Sequence, residues 1–251
     1  MKKLSCQVNV AQMMKEPSHQ AEVHTQLYFR DCAFVAEEPV GSWVKIVTIN
    51  HQTTGWVLKS QFTELDIQHE DTFPYIVFGH HTSMLNEHHT LPLLNGTYLR
   101  ESDITSLNQT NQLIAIDAIR PEEAFKQQLL QSYLQAPYHW GGTSIYGIDC
   151  SGLAKMFYKF FSIHLPHLAS AQILQGEVLD FLENAICGDL AFFENDASEI
   201  NHVGILLNAS EIIHASETNG KVAIDSMDNH GIVNKKTGKR THSLRIIKRL
   251  L

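Results

Sequence analysis

"APYHWGGTSIYGIDCSGLAKMFYKFF", residues 136–161, changes character near its middle. Glycines and aromatics run up to Asp149-Cys150-Ser151-Gly152. Leu153, Met156, Phe157, Phe160 and Phe161 then recur at helical spacing. The stretch reads as a glycine-rich loop feeding a helix over 149–162, with a cysteine in the first turn. Unpaired N–H groups and the positive end of the helix dipole meet there. Two readings of Cys150 stand side by side. It is either a small buried hydrophobe, since free cysteine is among the most buried residue types, or a thiolate whose pKa the helix start lowers. The same N–H groups are suited to stabilising an oxyanion, and Asp149 is placed to cap the helix.

Upstream of the loop, "PEEAFKQQLLQSYLQ" (121–135) has proline in its first turn and two glutamates at the positive end, which predicts a helix. Downstream, "LPHLASAQILQGEVLDFLENA" (165–185) reads as partly helical. Strands follow in "GDLAFFE", "HVGILLN", "EIIHAS", "KVAIDSM" and "LRIIKRLL". Two helices and then a run of strands predict an α+β domain over 121–251.

The N-terminal part has another texture. "QVNVAQM", "AEVHTQLYF", "SWVKIVTI" and "TTGWVLKSQFTEL" are short strand-like runs, the last read as carrying a Gly-Trp turn. Their spacing predicts a small β-barrel over 1–66. Residues 67–120 are less regular and are expected to form a second small β-module or a linker. Two histidine pairs lie there, His80-His81 and His88-His89. Neighbours on a strand point to opposite faces, so each pair offers one ligand per side. No carboxylate accompanies them in a ligand pattern, so the segment reads as a solvated loop rather than a metal site.

The chain has 251 residues, enough for two or three small domains. A net charge of -8 argues against nucleic acid or an anionic membrane surface as partner. Four cysteines, Cys6, Cys32, Cys150 and Cys187, are far apart with no CxxC, which disfavours a disulfide framework or a cysteine zinc site. Leu4-Ser5-Cys6 has the form of a lipoprotein cleavage site, but no apolar run precedes it. No membrane span is evident either, so a cytoplasmic protein is expected.

A nucleophilic cysteine needs a base, and 15 histidines make one easy to find. Position discriminates. His202 opens the strand "HVGILLN" and His214 lies in the next, "EIIHAS", 12 residues on (214 − 202). Across an antiparallel pair that separation puts the two side by side, so that one ring orients the other. The competing reading is that both merely end strands.

Together, "PYHWGGTSIYGIDCSG", "LPHLASAQ", "GDLAFF", "HVGILL" and "IIHAS" resemble the NlpC-type family of bacterial cell-wall cysteine peptidases, over 121–251. Trp43-Val44-Lys45-Ile46 and Gly55-Trp56-Val57 resemble a bacterial SH3-like domain in front of it. The arrangement is similar to the γ-D-glutamyl-L-diamino acid endopeptidases, which cut peptidoglycan stem peptides. The resemblance implies a papain-like fold with the nucleophile helix on an antiparallel sheet. It implies Cys150 as nucleophile, His202 as base and His214 as the residue orienting that base. Tyr138 would sit near the thiolate, and Asp149, Ser151 and Ser170 would line the substrate groove. Trp140, Gly141, Gly142 and Gly188-Asp189 read as fold-determining.

The implied reaction is hydrolysis of the amide after γ-D-Glu in murein-derived stem peptides, with no cofactor and no metal. An SH3-like domain closing the groove would demand a free substrate amino terminus, with Asp149 as first acceptor for its ammonium and Glu22 as second. Two departures soften that demand. His167 and Leu168 replace the Arg and Asp frequent in relatives, and no tyrosine precedes Gly55-Trp56, where Thr53 and Thr54 stand. An amidase or acyltransferase on the same scaffold is the alternative, as is a murein-peptide reader with a vestigial peptidase.

Overall fold

The computed structural model describes residues 2–49, 53–65, 72–79, 82–85, 89–108 and 112–251. His80, His81 and His88 lie outside the described residues, and His89 is exposed. The chain forms two compact units, Met1–Ile119 with Phe160–Ser162, and Arg120–Lys159 with Ile163–Leu251.

The first unit opens with seven strands: β1 (Lys3–Cys6), β2 (Val10–Met14), β3 (Val23–Tyr28), β4 (Cys32–Val35), β5 (Trp43–Thr48), β6 (Thr54–Leu58) and β7 (Phe62–Leu65). They pair antiparallel in the order β3-β2-β6-β5-β4-β1-β7. Alternate residues Leu4, Met13, Leu27, Ala33, Val44, Ile46 and Val57 fill their core. Short strands follow: β8 (Tyr75–Val77), β9 (Ser83–Leu85), β10 (Thr90–Pro92), β11 (Tyr98–Leu99) and β12 (Leu113–Ala115). They make two small sheets over a core of Phe29, Val77, Met84, Leu93 and Leu99.

Three expectations fail in this unit. "QVNVAQM" is not one strand, because a bend at Val8-Asn9 separates β1 from β2. Gly55-Trp56 is no turn and lies inside β6. Glycine is required there because a Cβ would stand 2.4 Å from Met13 Cγ. Glu22 precedes β3 rather than lying within it, and its carboxylate pairs with Lys15 at 2.7 Å.

The second unit holds α1 (Glu123–Gln131), a small hairpin of β13 (Thr143–Ser144) and β14 (Gly147–Ile148), α2 (Cys150–Lys159) and α3 (Ala169–Gln172). Its main sheet comprises β15 (Glu177–Leu179), β16 (Leu190–Glu194), β17 (Ile200–Asn208), β18 (Glu211–Ser216), β19 (Lys221–Asp228), β20 (Gly231–Val233) and β21 (Arg240–Arg249). The order is β15-β21-β16-β17-β18-β19-β20, and β20 pairs back onto β21. Strands β16 to β21 therefore close on one another, which removes their free edges. Alternation aims Ala191, Phe193, Leu206, Ile212, Met227, Ile232 and Ile247 into one enclosed core. Helix α2 packs on β17 and β18. Residues 177–179, expected within a partly helical run, form β15 instead, because pairing with β21 outweighs the local pattern.

At the end of β21, Arg249 donates to Asp189 through Nε at 2.8 Å and Nη2 at 2.6 Å. Asp189 is buried and also accepts from the Ile186 N–H at 2.9 Å. This fork ties the C-terminal strand to the start of β16. Arg249→Leu leaves a buried carboxylate without its cation and is expected to cost about 2–3 kcal/mol. Urea denaturation measures it, and a loss below about 0.5 kcal/mol would show the pair to be screened by solvent.

Candidate active site

The loop before α2 is held by one carboxylate. Asp149 Oδ2 accepts from the Gly141 N–H at 2.7 Å, and Oδ1 accepts from the Gly152 N–H at 2.6 Å. That is an N-cap for α2 and a clamp on the glycine loop at once. Ser151 Oγ has one proton to give and lies 3.0 Å from Asp149 Oδ1 and 2.7 Å from the His167 carbonyl. Gln172 Nε2 donates to the carbonyls of Ser151 at 3.0 Å and Pro166 at 2.7 Å, stitching the "LPHLASAQ" segment to the helix start. Gly152 has to be glycine, since a Cβ would sit 2.2 Å from the Gly142 carbonyl oxygen. Burial raises the Asp149 pKa, and the two N–H groups, the Ser151 hydroxyl and the charge of Lys155 oppose that rise.

Cys150 begins α2 and is 6% exposed. Its sulfur meets the backbone N–H groups of Val203, Ser151 and Cys150 itself, all of which favour the thiolate. Burial is stronger, and the Asp149 carboxylate adds to it, so the thiol is pushed up to about 12. The expected lowering by the helix start is thus reversed. Three N–H dipoles do not replace the hydration that the thiolate loses.

His202 follows Asn201 at the mouth of β17, directly before the Val203 N–H that faces the sulfur. Its Nε2 lies 2.9 Å from His214 Nδ1 on β18, and His214 Nε2 lies 3.1 Å from Asp225 Oδ2 on β19. The separations along the chain are 12 and 11 residues, one hairpin step each. Gly204, two residues after His202 on β17, has no room for a Cβ, which would stand 2.6 Å from Ile212 Cδ1 and 3.2 Å from His214 Cβ.

Asp225 is the residue that the sequence reading missed. It is buried and accepts from Asn219 Nδ2 at 3.0 Å, Asn234 Nδ2 at 3.3 Å and the Lys235 N–H at 2.9 Å. Burial raises its pKa, but His214, the Lys235 N–H and Asn219 more than offset this and hold it below the usual carboxylate range. The available signal was a carboxylate in the alternating run "KVAIDSM", one hairpin step after His214.

An ionised carboxylate only accepts, so His214 Nε2 carries a proton toward Asp225. His214 Nδ1 is then an acceptor, His202 Nε2 donates to it, and the His202 Nδ1 lone pair is free to take a proton. Burial, followed by the neighbouring His242 and His214, holds the His202 pKa well below its ordinary value.

Tyr138 is half-buried. Burial first, then Cys150 and Asp149, hold its phenol above the usual range, so the hydroxyl stays a donor. Ser170 lies on α3 and is exposed. Glu22 belongs to the first unit.

Among the described residues, His202, His214 and His242 bring ligating nitrogens within 4.8 Å of one another. The His202 and His242 rings, however, stack at 4.1 Å with planes 25° apart. Lone pairs lie in the ring planes, so stacked imidazoles do not converge on one ion unless a ring turns out.

A neutral thiol beside a neutral imidazole is the expected resting pair. Alkylation of Cys150 by iodoacetamide should therefore keep accelerating as pH rises through 9. A plateau already reached by pH 7 would indicate a thiolate–imidazolium pair instead.

Comparison with known proteins shows what the chain is similar to. The NlpC/P60 family model matches residues 135–241. A gamma-D-glutamyl-L-lysine dipeptidyl-peptidase of Bacillus cereus is 26% identical over 242 residues, covering 80% of this chain and 70% of that protein. A probable endopeptidase, NlpC of Escherichia coli, is 35% identical over 102 residues, covering 40% of this chain and 65% of that one. A crystal structure of an NlpC/P60 family protein from Bacillus cereus superposes with a TM-score of 0.82 at 20% identity, covering 98% of this chain and 99% of that chain. The shared fold is thus α+β, with a papain-like domain that follows a small β-module along the chain, and residues 135–241 carry an NlpC/P60 domain.

Proposed function

We propose that the protein is a cysteine endopeptidase that hydrolyses the amide between γ-D-Glu and a diamino acid in peptidoglycan-derived stem peptides. The observation that carries the reading is the proton relay from His202 through His214 to Asp225, beside a cysteine at a capped helix start. The substrate bond rests on the names of the relatives that match most of the chain.

In this reading Cys150 attacks the carbonyl carbon as His202 Nδ1 takes the thiol proton. The imidazolium formed is stabilised through His214 by the Asp225 carboxylate. The negative oxygen of the tetrahedral intermediate is received by the Cys150 N–H and the Tyr138 hydroxyl. His202 gives its proton to the leaving amine, and the thioester is released by a water that His202 activates. Ser151 and Ser170 line the groove. Asp149 accepts three donors on about four lone-pair sites, which leaves one for the ammonium of a free substrate amino terminus. Residues 1–66 act as an SH3-like domain and 67–120 as a second small β-module; Lys15 already engages the Glu22 carboxylate, so no ammonium role is carried forward for it.

Mass spectrometry of a digest of L-Ala-γ-D-Glu-diaminopimelate peptide tests the reading. Cleavage after γ-D-Glu by the wild type, its loss in Cys150→Ala and slowing by about 10- to 100-fold on N-acetylation of the substrate are expected. Release of a product other than the free diamino acid would favour the amidase or acyltransferase alternative, and no cleavage at all would favour a peptide-binding role.

The relay sets a ranking. His202→Ala should cost about 10³-fold or more in kcat/KM, because the proton acceptor is gone. His214→Gln and Asp225→Asn should each cost about 10- to 100-fold, since they disturb only tautomer and orientation. If His214→Gln is the most damaging of the three, the roles of the two histidines are exchanged.

A further inference from the structure

We infer that His242 is a positioning residue for His202: its imidazole lies flat on the His202 ring and fixes the plane in which the Nδ1 lone pair points. The inference rests on the proposed peptidase reading and adds a residue to it.

The stack is specific. Ring centroids are 4.1 Å apart with planes 25° apart, whereas His242 meets Phe193 at 5.8 Å and 63° and His214 at 5.8 Å and 89°. His202 is thus covered by His242, with Phe193 tilted at 5.7 Å and His214 edge-on at 5.1 Å. Strands β17 and β21 are not neighbours, because each pairs with β16 between them. Two strand spacings are about 9–10 Å, so rings meet at stacking distance only if both lean over the strand between. The backbone shows how. Register shifts occur between Phe193 and Glu194 on the β17 side of β16, between Phe192 and Phe193 on its β21 side, and between Ile232 and Val233 where β20 meets β21. Bulges re-aim side chains in this manner. Behind His242, β20 presses so close that a Cβ on Gly231 would stand 1.9 Å from the His242 carbonyl oxygen. His242 Nδ1 lies 2.9 Å from Thr241 Oγ1.

The chemistry fits the placement. During attack His202 becomes an imidazolium in a buried site, where a second imidazolium stacked on it would repel it. His242 is neutral near pH 7. Burial first, then His214, bring its pKa down to about 4, against the opposing pull of Asp225. Of the groups that face its ring, His202 is neutral there, Asp225 is ionised, and His214 is the third. Without the stack the His202 ring has one face open to tilting, which misdirects Nδ1 and admits water.

The test compares His242→Ala and His242→Phe with the wild type in kcat, KM, the pH profile of kcat/KM and thermal unfolding. Alkylation of Cys150 by iodoacetamide is followed as a readout that needs no substrate. In His242→Ala, kcat is expected to fall by about 10- to 100-fold with KM within about twofold. The acid limb should move up by about one pH unit, because burial is the main force holding the His202 pKa down. His242→Phe restores a flat ring and should return kcat to within about threefold of wild type, with the acid limb near its original place. Alkylation near pH 7 should slow in the Ala variant and recover in the Phe variant. An Ala variant that matches wild type in rate and acid limb overturns the inference. So does a folded Phe variant that loses more than about tenfold, which also decides the matter if the Ala variant does not fold. Failure of the wild type to cut any stem peptide would count against the peptidase reading, while the alkylation series would still accept or reject the stack.

Discussion

The site depends on one buried carboxylate remaining ionised. Asp225 accepts from two asparagine amides, one backbone N–H and His214, and this set offsets the desolvation that would otherwise protonate it. Once it is ionised, every proton in the chain of rings has one place to be. His214 donates outward to Asp225 and accepts from His202, and His202 turns its bare nitrogen away from both. A protonated Asp225 would give up this polarity, because a carboxylic acid can donate to His214 and reverse the order. Asn219 and Asn234 matter for the same reason, although neither approaches the reacting atoms. They hold a charge in place, and the charge selects a tautomer two residues away.

The proposed nucleophile, Cys150, is governed by a balance of a different kind. Helix α2 begins at a cysteine whose surroundings both favour and disfavour the thiolate. The capping Asp149 secures the helix start, yet its negative charge works against ionisation of the neighbouring sulfur. Burial works in the same direction. In the proposed reaction, proton transfer to His202 is therefore best coupled to attack, so that negative charge passes to the carbonyl oxygen rather than resting on the sulfur. In that proposed reaction the site favours the N–H groups and the Tyr138 hydroxyl as charge receivers in the transition state over a reactive thiolate in the resting state.

Much of this was legible in the chain, and what was missed has physical causes. Cys150, His202 and His214 stand out because helix onset and hairpin spacing are local properties that leave a pattern in sequence. The strands around them were readable where both faces are buried, as in "LAFFE" and "HVGILL". Asp225 was hidden because an aspartate in an alternating strand reads as a solvent-facing residue, and its burial depends on Asn219, in the turn before β19, and Asn234, in the loop after β20. His242 was hidden because its partner lies two strands away, a relation that closure of the sheet creates and that no periodicity announces. The errors in the first unit are of the same kind. The bend at Val8-Asn9 interrupts an alternation that would otherwise continue, and Gly55 serves close strand packing rather than a turn.

Closure of strands β16 to β21 also explains why the relay is built where it is. In an open sheet, inward-facing side chains of neighbouring strands meet, while those two strands apart face the same layer without touching. A small closed barrel curves that layer inward, so that side chains from several strands converge on one mouth. His202, His214 and Asp225 come from three successive strands, each one hairpin step from the last, and His242 comes from the strand on the far side of β16. Each position is then set by register, and a slip of one residue would send the side chain to the opposite face. The bulges around Phe193 are the exceptions to regular register, and they lie where two rings must cross a strand to meet. The same pairing that completes the fold thus fixes the direction of the His202 ring.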